Sequence, residues 1–290
     1  MPTKIEKDSL TGRETTGHEW DGIKELNNPL PRWWLYVFYA TIAWSLVWFV
    51  LYPSWPWIDG YFEGVLGRQE RQVFDSRMAQ AQAAQAQYLD AVAAASPAEI
   101  LEEPQLLTFA LAGGEAAFAD NCAPCHGLGG AGQAQYPVLA DDDWIWGGSL
   151  DAIRQTIAYG IRNEHPQSRF SEMPAYGAMN ILAREEIVDV ANHVLTLSGG
   201  EPPDAAAADR GAAIYEAQCS VCHGADGGGM TDLGAPALND QIWLYGGTLP
   251  EIVAQISQPQ QGAMPAWAPR LDDTMIDMLT VYVHTRGGGE

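Results

Sequence analysis

CAPCH at residues 122–126 and CSVCH at residues 219–223 are the most informative stretches of this 290-residue chain. Both follow the pattern C-x-x-C-H, in which two thiols three residues apart can reach the two vinyl groups of one porphyrin. The histidine directly after the second cysteine then lies beneath the iron as its proximal ligand. The predicted haem-binding residues are Cys122 and Cys125 with His126, and Cys219 and Cys222 with His223. The sequence therefore predicts two covalently bound haems c.

Two other uses of paired cysteines fit this chain less well. A zinc site would normally have its two pairs about 12–20 residues apart, whereas here the first cysteines are at positions 122 and 219. A thioredoxin-like redox pair would lie near a βαβ pattern, and none is visible in the sequence. All four cysteines belong to the two motifs, so no thiol remains for a disulfide.

The two motifs lie in an internal repeat, and we expect one cytochrome c domain at 105–200 and a second at 201–290. The matched pairs at an offset of 97 are Gly114 with Gly211, Phe118 with Tyr215, and the cysteines and histidines of the motifs; at an offset of 99, Pro137 matches Pro236. The sequence of each copy predicts an approach helix, a glycine-rich loop, a middle helix that begins near Ser149 or Thr248, and a final helix at about 184–197 or 272–286. We expect the final helix to pack on the approach helix of its own copy, where a glycine permits close contact.

Met173 and Met264 are predicted as the sixth ligands of the two haem irons. They begin matching segments, Met-Pro-Ala-Tyr and Met-Pro-Ala-Trp, 47 and 41 residues after the histidines of their copies. A methionine opposite the histidine raises the reduction potential and closes the iron to small molecules, which suits an electron carrier. Met275 and Met278, on the final helix, are better explained as core-filling residues.

The first copy contains extra residues around 163–171, and this insertion holds weaker candidates. His165 could replace Met173 or contact a haem propionate, although a solvated loop histidine is the simpler interpretation. Arg162 and Arg169 are candidates for pairing with haem propionates through charge-assisted hydrogen bonds.

Residues 33–52, WWLYVFYATIAWSLVWFVLY, predict a transmembrane helix. Twenty residues at about 1.5 Å each span roughly 30 Å, the thickness of a bilayer core. The flanking aromatics resemble the belts of a spanning helix and are Trp33, Trp34, Tyr52, Trp55 and Trp57. A cleaved signal peptide fits poorly because the stretch is long and an arm of 32 residues precedes it. A buried soluble helix also fits poorly, because the stretch is apolar all round.

The expected fold is mainly α, with one N-terminal transmembrane helix followed by two tandem cytochrome c-type helical domains. We expect an arm at 1–32, the spanning helix at 33–53 and a connector with an Ala/Gln-rich helix at 54–104. Haem is attached to C-x-x-C-H motifs outside the cytoplasm, so the domains should be periplasmic and the arm cytoplasmic. All three lysines lie in that arm, in agreement with N-terminus-inside insertion across a bacterial inner membrane.

The charge balance limits the classes of partner. With 37 acidic and 15 basic residues the formal net charge is -22, which makes nucleic acid an unlikely partner and a basic protein a favoured one. Residues 101–200 contain 13 acidic and 4 basic residues, and residues 201–290 contain 12 and 3. A basic donor cytochrome c is thus an expected partner.

The order of parts resembles one family. DGIKEL at 21–26 and NPLPRWW at 28–34, followed by the anchor, the two C-x-x-C-H domains and SRFSEMP at 168–174, are similar to a dihaem cytochrome c subunit. This is subunit III of cbb3-type cytochrome c oxidases, often called CcoP or FixP. The resemblance covers nearly the whole chain, with Asn27 where an acidic residue would be expected.

The resemblance implies a role in respiration. Such a subunit takes electrons from a donor cytochrome c and passes them through its haems and a monohaem cytochrome c subunit to the catalytic haem-copper subunit, which reduces oxygen to water. This chain shows neither the copper-ligand histidines nor the membrane helices of that centre, so we expect no catalytic centre in it alone. A free-standing membrane-anchored dihaem electron shuttle is the main alternative. A dihaem peroxidase would need an open iron position, and a haem sensor would need an output domain.

Overall fold

The computed structural model describes residues 4–67 and 69–287, and these are mostly helical. The chain divides into two compact units, Met1–Ala84 and Gln85–Glu290. Residues 1–3, Arg68 and 288–290 lie outside the described residues, as does the side chain of Trp57, one of the predicted belt aromatics. The predicted mainly helical class is confirmed.

The first unit begins with a β-hairpin that the sequence interpretation did not include. Strands β1 (Thr15–Trp20) and β2 (Ile23–Leu26) pair antiparallel. Asp21 and Gly22 connect them with φ of 50° and 84°, which is the left-handed geometry that Asp-Gly hairpin turns use. Glu6 joins the hairpin through an ion pair of 2.6 Å with Lys24. The arm before the anchor is therefore a folded element.

Helix α1 (Arg32–Leu51) has the length and apolar composition needed to cross a membrane, and within the described residues it is the one helix that does. None of its residues is buried by the protein, so its apolar surface is available to lipid or to another helix. The ring of Trp48 stacks on that of Tyr52 at 4.1 Å, at the end of the helix. A two-residue hairpin follows, formed by β3 (Pro56–Trp57) and β4 (Gly60–Tyr61).

The connector contains the expected Ala/Gln-rich helix. Helix α2 (Glu70–Ala94) continues from the first unit into the second, where Val92 is fully buried. Helix α3 (Pro97–Glu102) follows after a capping box, in which Ser96 Oγ accepts from Glu99 N and a Glu99 carboxylate oxygen accepts from Ser96 N. Val92 and Ile100 pack together against the last helix of the chain.

The repeat is visible as two sets of helices. The first set is α4 (Pro104–Asn121), α5 (Ala123–His126), α6 (Leu150–Tyr159) and α7 (Arg184–Leu197). The second set is α8 (Ala205–Gln218), α9 (Ser220–His223), α10 (Leu249–Ser257) and α11 (Asp273–Arg286). The middle helices begin where predicted, after Ser149 and Thr248.

The final helices are exchanged between the two copies. Helix α11 packs on α4 and α6 of the first copy, whereas α7 packs on α8 and α10 of the second. The ring of Phe118 on α4 lies 5.4 Å from that of Tyr282 on α11, and the ring of Tyr215 on α8 lies 5.3 Å from that of His193 on α7. The expected packing of each final helix within its own copy is wrong.

A physical reason for the exchange lies in the chain connection. Helices α7 and α8 are consecutive, are separated by residues 198–204 alone, and pack on each other. A short loop costs little closure entropy. Both copies use the same glycine and aromatic pair on the approach helix, so these residues do not distinguish one final helix from the other.

We call the group formed by α4, α5, α6 and α11 the first lobe, and the group formed by α7, α8, α9 and α10 the second lobe. The core of the first lobe includes Phe118, Ile153, Ile157, Ile276 and Leu279. The core of the second lobe includes Tyr176, Ile187, Val190, Tyr215 and Ile252. The predicted boundaries 105–200 and 201–290 describe the repeat along the sequence, whereas the packed lobes cross them.

Candidate haem-binding site

Each C-x-x-C-H motif forms one tight helical turn. In the first motif the amide of His126 donates to Cys122 O at 2.9 Å, and in the second the amide of His223 donates to Cys219 O at 3.0 Å. This turn brings residues i, i+3 and i+4 to one side of the chain. The two thiols and the imidazole of each motif are therefore grouped as a c-type haem requires. All four cysteines are free thiols.

The first thiol of each motif is partly buried. Burial, together with the neighbouring motif cysteine, raises the pKa of Cys122 and of Cys219 to about 11. Redox-active C-x-x-C motifs have the opposite property, a lowered pKa that supplies thiolate at neutral pH. Among the described residues no three His, Cys, Asp or Glu side chains have the arrangement of a metal-ion site.

The motif histidines are held in one orientation by proline carbonyls. Nδ1 of His126 lies 3.2 Å from Pro137 O, and Nδ1 of His223 lies 2.9 Å from Pro236 O. A carbonyl can only accept, so Nδ1 carries the proton and Nε2 keeps its lone pair for a metal. Burial lowers the pKa of both histidines, which favours the neutral form. Both imidazoles thus have the form of haem-iron ligands.

The glycine-rich loop brings each proline to its histidine. In the first lobe the amide of Gly132 donates to His126 O at 2.7 Å, so the loop turns back immediately after the motif. Gly127 has φ +74°, and a Cβ there would lie 2.8 Å from Gly132 O. Pro137 and Pro236 were recognised as matched positions of the repeat, but their role was missed because a backbone carbonyl leaves no signature in residue type.

Each candidate methionine packs in the lobe that contains the other copy's C-x-x-C-H motif. Met264 packs against the core of the first lobe, which contains His126, and Met173 packs against the core of the second lobe, which contains His223. We expected each methionine to be a ligand of the haem iron in its own copy, and this packing does not match that expectation. Met173 lies 11 residues before the start of α7, and Met264 lies nine residues before the start of α11. Each methionine therefore packs in the same lobe as the final helix that follows it.

The two methionine loops also bind each other. The amide of Ile161 donates to Met264 O at 3.0 Å, and the amide of Met264 donates to Ile161 O at 2.9 Å. Gln261 accepts from the amide of Met173 at 3.0 Å and donates to Met173 O at 3.2 Å. We call these two segments, residues 160–173 and 258–267, the crossover, because the chain passes from one lobe to the other in each of them.

The remaining candidates have structural partners. His165 stacks on Tyr159 at 5.0 Å, and its Nδ1 accepts from the amide of Gln167 at 3.1 Å. Met278 is 2% exposed and Met275 packs against the core of the first lobe, which confirms the core-filling prediction for both.

Comparison with known proteins gives three family matches. Residues 12–59 match the N-terminal domain of cytochrome oxidase-cbb3, FixP. Residues 206–283 match cytochrome c oxidase, cbb3-type, subunit III, and residues 111–198 match cytochrome c. The expectation of two cytochrome c domains along the sequence is confirmed.

Several curated relatives match the chain over almost its whole length. A cbb3-type cytochrome c oxidase subunit CcoP of Azospirillum sp. (strain B510) is 47% identical over 292 residues, which cover 98% of each chain. A FixP subunit of Azorhizobium caulinodans is 49% identical and covers 98% of this chain and 96% of its own. A FixP subunit of Bradyrhizobium diazoefficiens is 46% identical, and the match covers both chains completely.

Proposed function

This chain belongs to the subunit III family of cbb3-type cytochrome c oxidases, and we infer that it is an electron-transfer subunit of such an oxidase with two covalently attached haems c. One observation carries this inference. A single chain joins the FixP-type arm to two C-x-x-C-H turns, each with its histidine ring held by a proline carbonyl.

We assign the axial ligands by lobe. His126 and Met264 are the ligands of the haem attached to Cys122 and Cys125, and His223 and Met173 are the ligands of the haem attached to Cys219 and Cys222. The packing of each methionine against the core of the opposite copy supports this assignment. When bound, each haem supplies a one-electron redox centre, and histidine-methionine ligation gives it a high potential.

The partners follow from this role. A donor cytochrome c delivers electrons to this chain, and a monohaem subunit and the catalytic haem-copper subunit receive them. The chain itself supplies binding surfaces and ligands, and oxygen is reduced elsewhere in the complex. The acidic character of residues 101–290 supports a basic donor, because opposite charges accelerate encounter.

We assign the chain to the bacterial inner membrane, with α1 as a single span. The arm at 1–32 is cytoplasmic, while the connector at 54–104 and both haem lobes are periplasmic. The supporting observations are the apolar helix, the confinement of the lysines to the arm, and the attachment of haem c outside the cytoplasm.

An exchange of the anchor tests the oxidase role against the free shuttle. Residues 1–53 are replaced by an unrelated single-span anchor of the same orientation. We expect both haems to remain in the membrane while oxidase assembly or activity is lost. A second variant replaces residues 33–53 alone and keeps the hairpin of β1 and β2, which separates the contribution of the arm from that of the helix. Full oxygen reduction by the first variant, or purification of the native chain without a haem-copper subunit, would establish the shuttle instead.

A further inference from the structure

Two partly buried arginines in the crossover lack a carboxylate partner. Elsewhere, Arg154 pairs with Asp277 at 2.6 Å and Arg210 pairs with Asp189 at 2.6 Å. Arg162 and Arg169 form no ion pair with any residue in the ranges 4–67 and 69–287. The lack of a carboxylate partner for both arginines is unusual in a chain with 37 acidic residues.

The protein gives these two guanidinium groups only neutral partners. Arg162 donates from Nε to Ser171 O at 2.7 Å and from Nη1 to Gly262 O at 2.8 Å. Arg169 donates from Nη2 to Ala152 O at 3.1 Å, while its buried Nε has no hydrogen-bond partner. Burial lowers the pKa of both arginines and is the largest influence on it; Tyr245 and Glu172 act in the opposite direction on Arg162, and Asp232 does so on Arg169.

The two arginines share one aromatic ring. The guanidinium carbons of Arg162 and Arg169 lie 5.9 Å and 5.5 Å from the ring centroid of Trp146. The ring of Trp146, which comes from the first copy, also lies against Gly234 in the second. We call Arg162 and Arg169 the arginine pair.

The arginine pair lies where the two methionine loops meet. Arg162 follows Ile161, which is hydrogen-bonded to Met264, and its Nε binds the carbonyl of Ser171, two residues before Met173. Both arginines therefore belong to the segment where the ligand loops of the two lobes meet.

The charge and burial of the arginine pair favour the binding of an anion. A cation removed from water is costly unless an opposite charge compensates it, and an unsatisfied N–H adds to that cost. The planar fork of arginine is suited to carboxylates. If the chain binds two haems as assigned above, each haem brings two propionate carboxylates that the protein must accommodate.

We propose that Arg162 and Arg169 bind haem propionates at the junction of the lobes and thereby raise the reduction potential of the haem they contact. Oxidation adds one positive charge at the iron, and a nearby cation opposes that addition. Loss of either arginine therefore favours the oxidised form and lowers the potential. The proposal rests on the proposed function in requiring both haems.

Potentiometric titration of the full-length protein in detergent tests the proposal. Haem content and the low-spin spectrum are measured first, and failure at that step would count against the proposed function itself. With both haems present, Arg169→Gln and Arg162→Gln should each shift the electron-transfer equilibrium of at least one haem by tenfold, about 59 mV for a one-electron couple.

Arg270→Gln is the matched control. Arg270 also lies over a tryptophan, 5.4 Å from the ring centroid of Trp267, and follows the other methionine loop by three residues, but it is exposed. The same loss of charge at Arg270 should change the electron-transfer equilibrium of either haem by less than twofold, because water and salt screen an exposed charge.

Arg169→Lys separates charge from packing. Both Arg169→Lys and Arg169→Gln lose the planar group over Trp146 and should lose similar thermal stability, whereas the lysine variant alone should keep the potential. If the glutamine variant fails to retain haem, Arg169→Lys and Arg162→Gln decide the question.

Two results would overturn the proposal. Potentials unchanged in both glutamine variants would show that the arginines do not face a haem. A wild-type potential that follows added phosphate at constant ionic strength would assign the site to a free anion instead of a propionate.

Discussion

Replacement of Ile276 by alanine should loosen the lobe that contains the first C-x-x-C-H motif, although Ile276 lies in the second copy of the repeat. Its side chain is 1% exposed and packs in the core that contains Phe118. Removal of three carbons costs about 2.4 kcal/mol in transfer energy at roughly 0.8 kcal/mol each. The cavity left behind brings typical losses to about 2–5 kcal/mol. Even a loss of about 2 kcal/mol in stability raises the population of molecules in which this lobe is locally unfolded roughly 30-fold.

Native-state hydrogen exchange of the haem-loaded chain, read by mass spectrometry, locates the effect. Peptides from α4 should exchange faster in Ile276→Ala, while peptides from α8 should keep the wild-type rate. Ile187 is the matched residue on α7, 3% exposed and packed in the core of the second lobe. Ile187→Ala should therefore show the reverse pattern. Faster exchange in α8 and not in α4 after Ile276→Ala would refute the exchange of final helices.

Three further outcomes are expected. In a variant that retains only the haem at 122–126, Met264→Ala should lower the reduction potential of that haem and allow carbon monoxide to bind, whereas Met173→Ala should do neither. The reverse result would show that each methionine binds the haem of its own copy. Mass spectrometry after denaturation should find two haems still attached, and Cys122→Ser should weaken or abolish attachment at its own site only. The association rate with a basic donor cytochrome should fall as ionic strength rises past about 0.1 M, where the Debye length is about 10 Å; a constant rate would indicate apolar docking.

The sequence predicts those parts of the molecule that depend on neighbouring residues. The C-x-x-C-H turns, the starts of the middle helices and α1 each follow from a local pattern, and all appear where expected. The hairpin of β1 and β2 was missed, although Asp21-Gly22 is a strong signal for its turn.

The partner of each final helix could not be read from the sequence. Packing between α4 and α11 needs a glycine and an aromatic residue on the approach helix, and Gly114 with Phe118 meets that need as well as Gly211 with Tyr215. The pattern is the same in both copies, so residue type cannot assign the pairs. The short connection between α7 and α8 was the available clue, because helices joined by a short loop usually pack together.

The exchanged helices also set an order of maturation. The second lobe is built from a continuous stretch between Met173 and Ser257, whereas the first lobe requires both α4 and α11. Synthesis and translocation proceed from α1 towards the C-terminus, so the first haem attachment motif is exposed early, whereas Met264 and α11 arrive last. The lobe that begins first during synthesis is consequently completed second. Premature termination before Met264 leaves the first lobe without the sixth ligand proposed for its haem and without the core residues of α11.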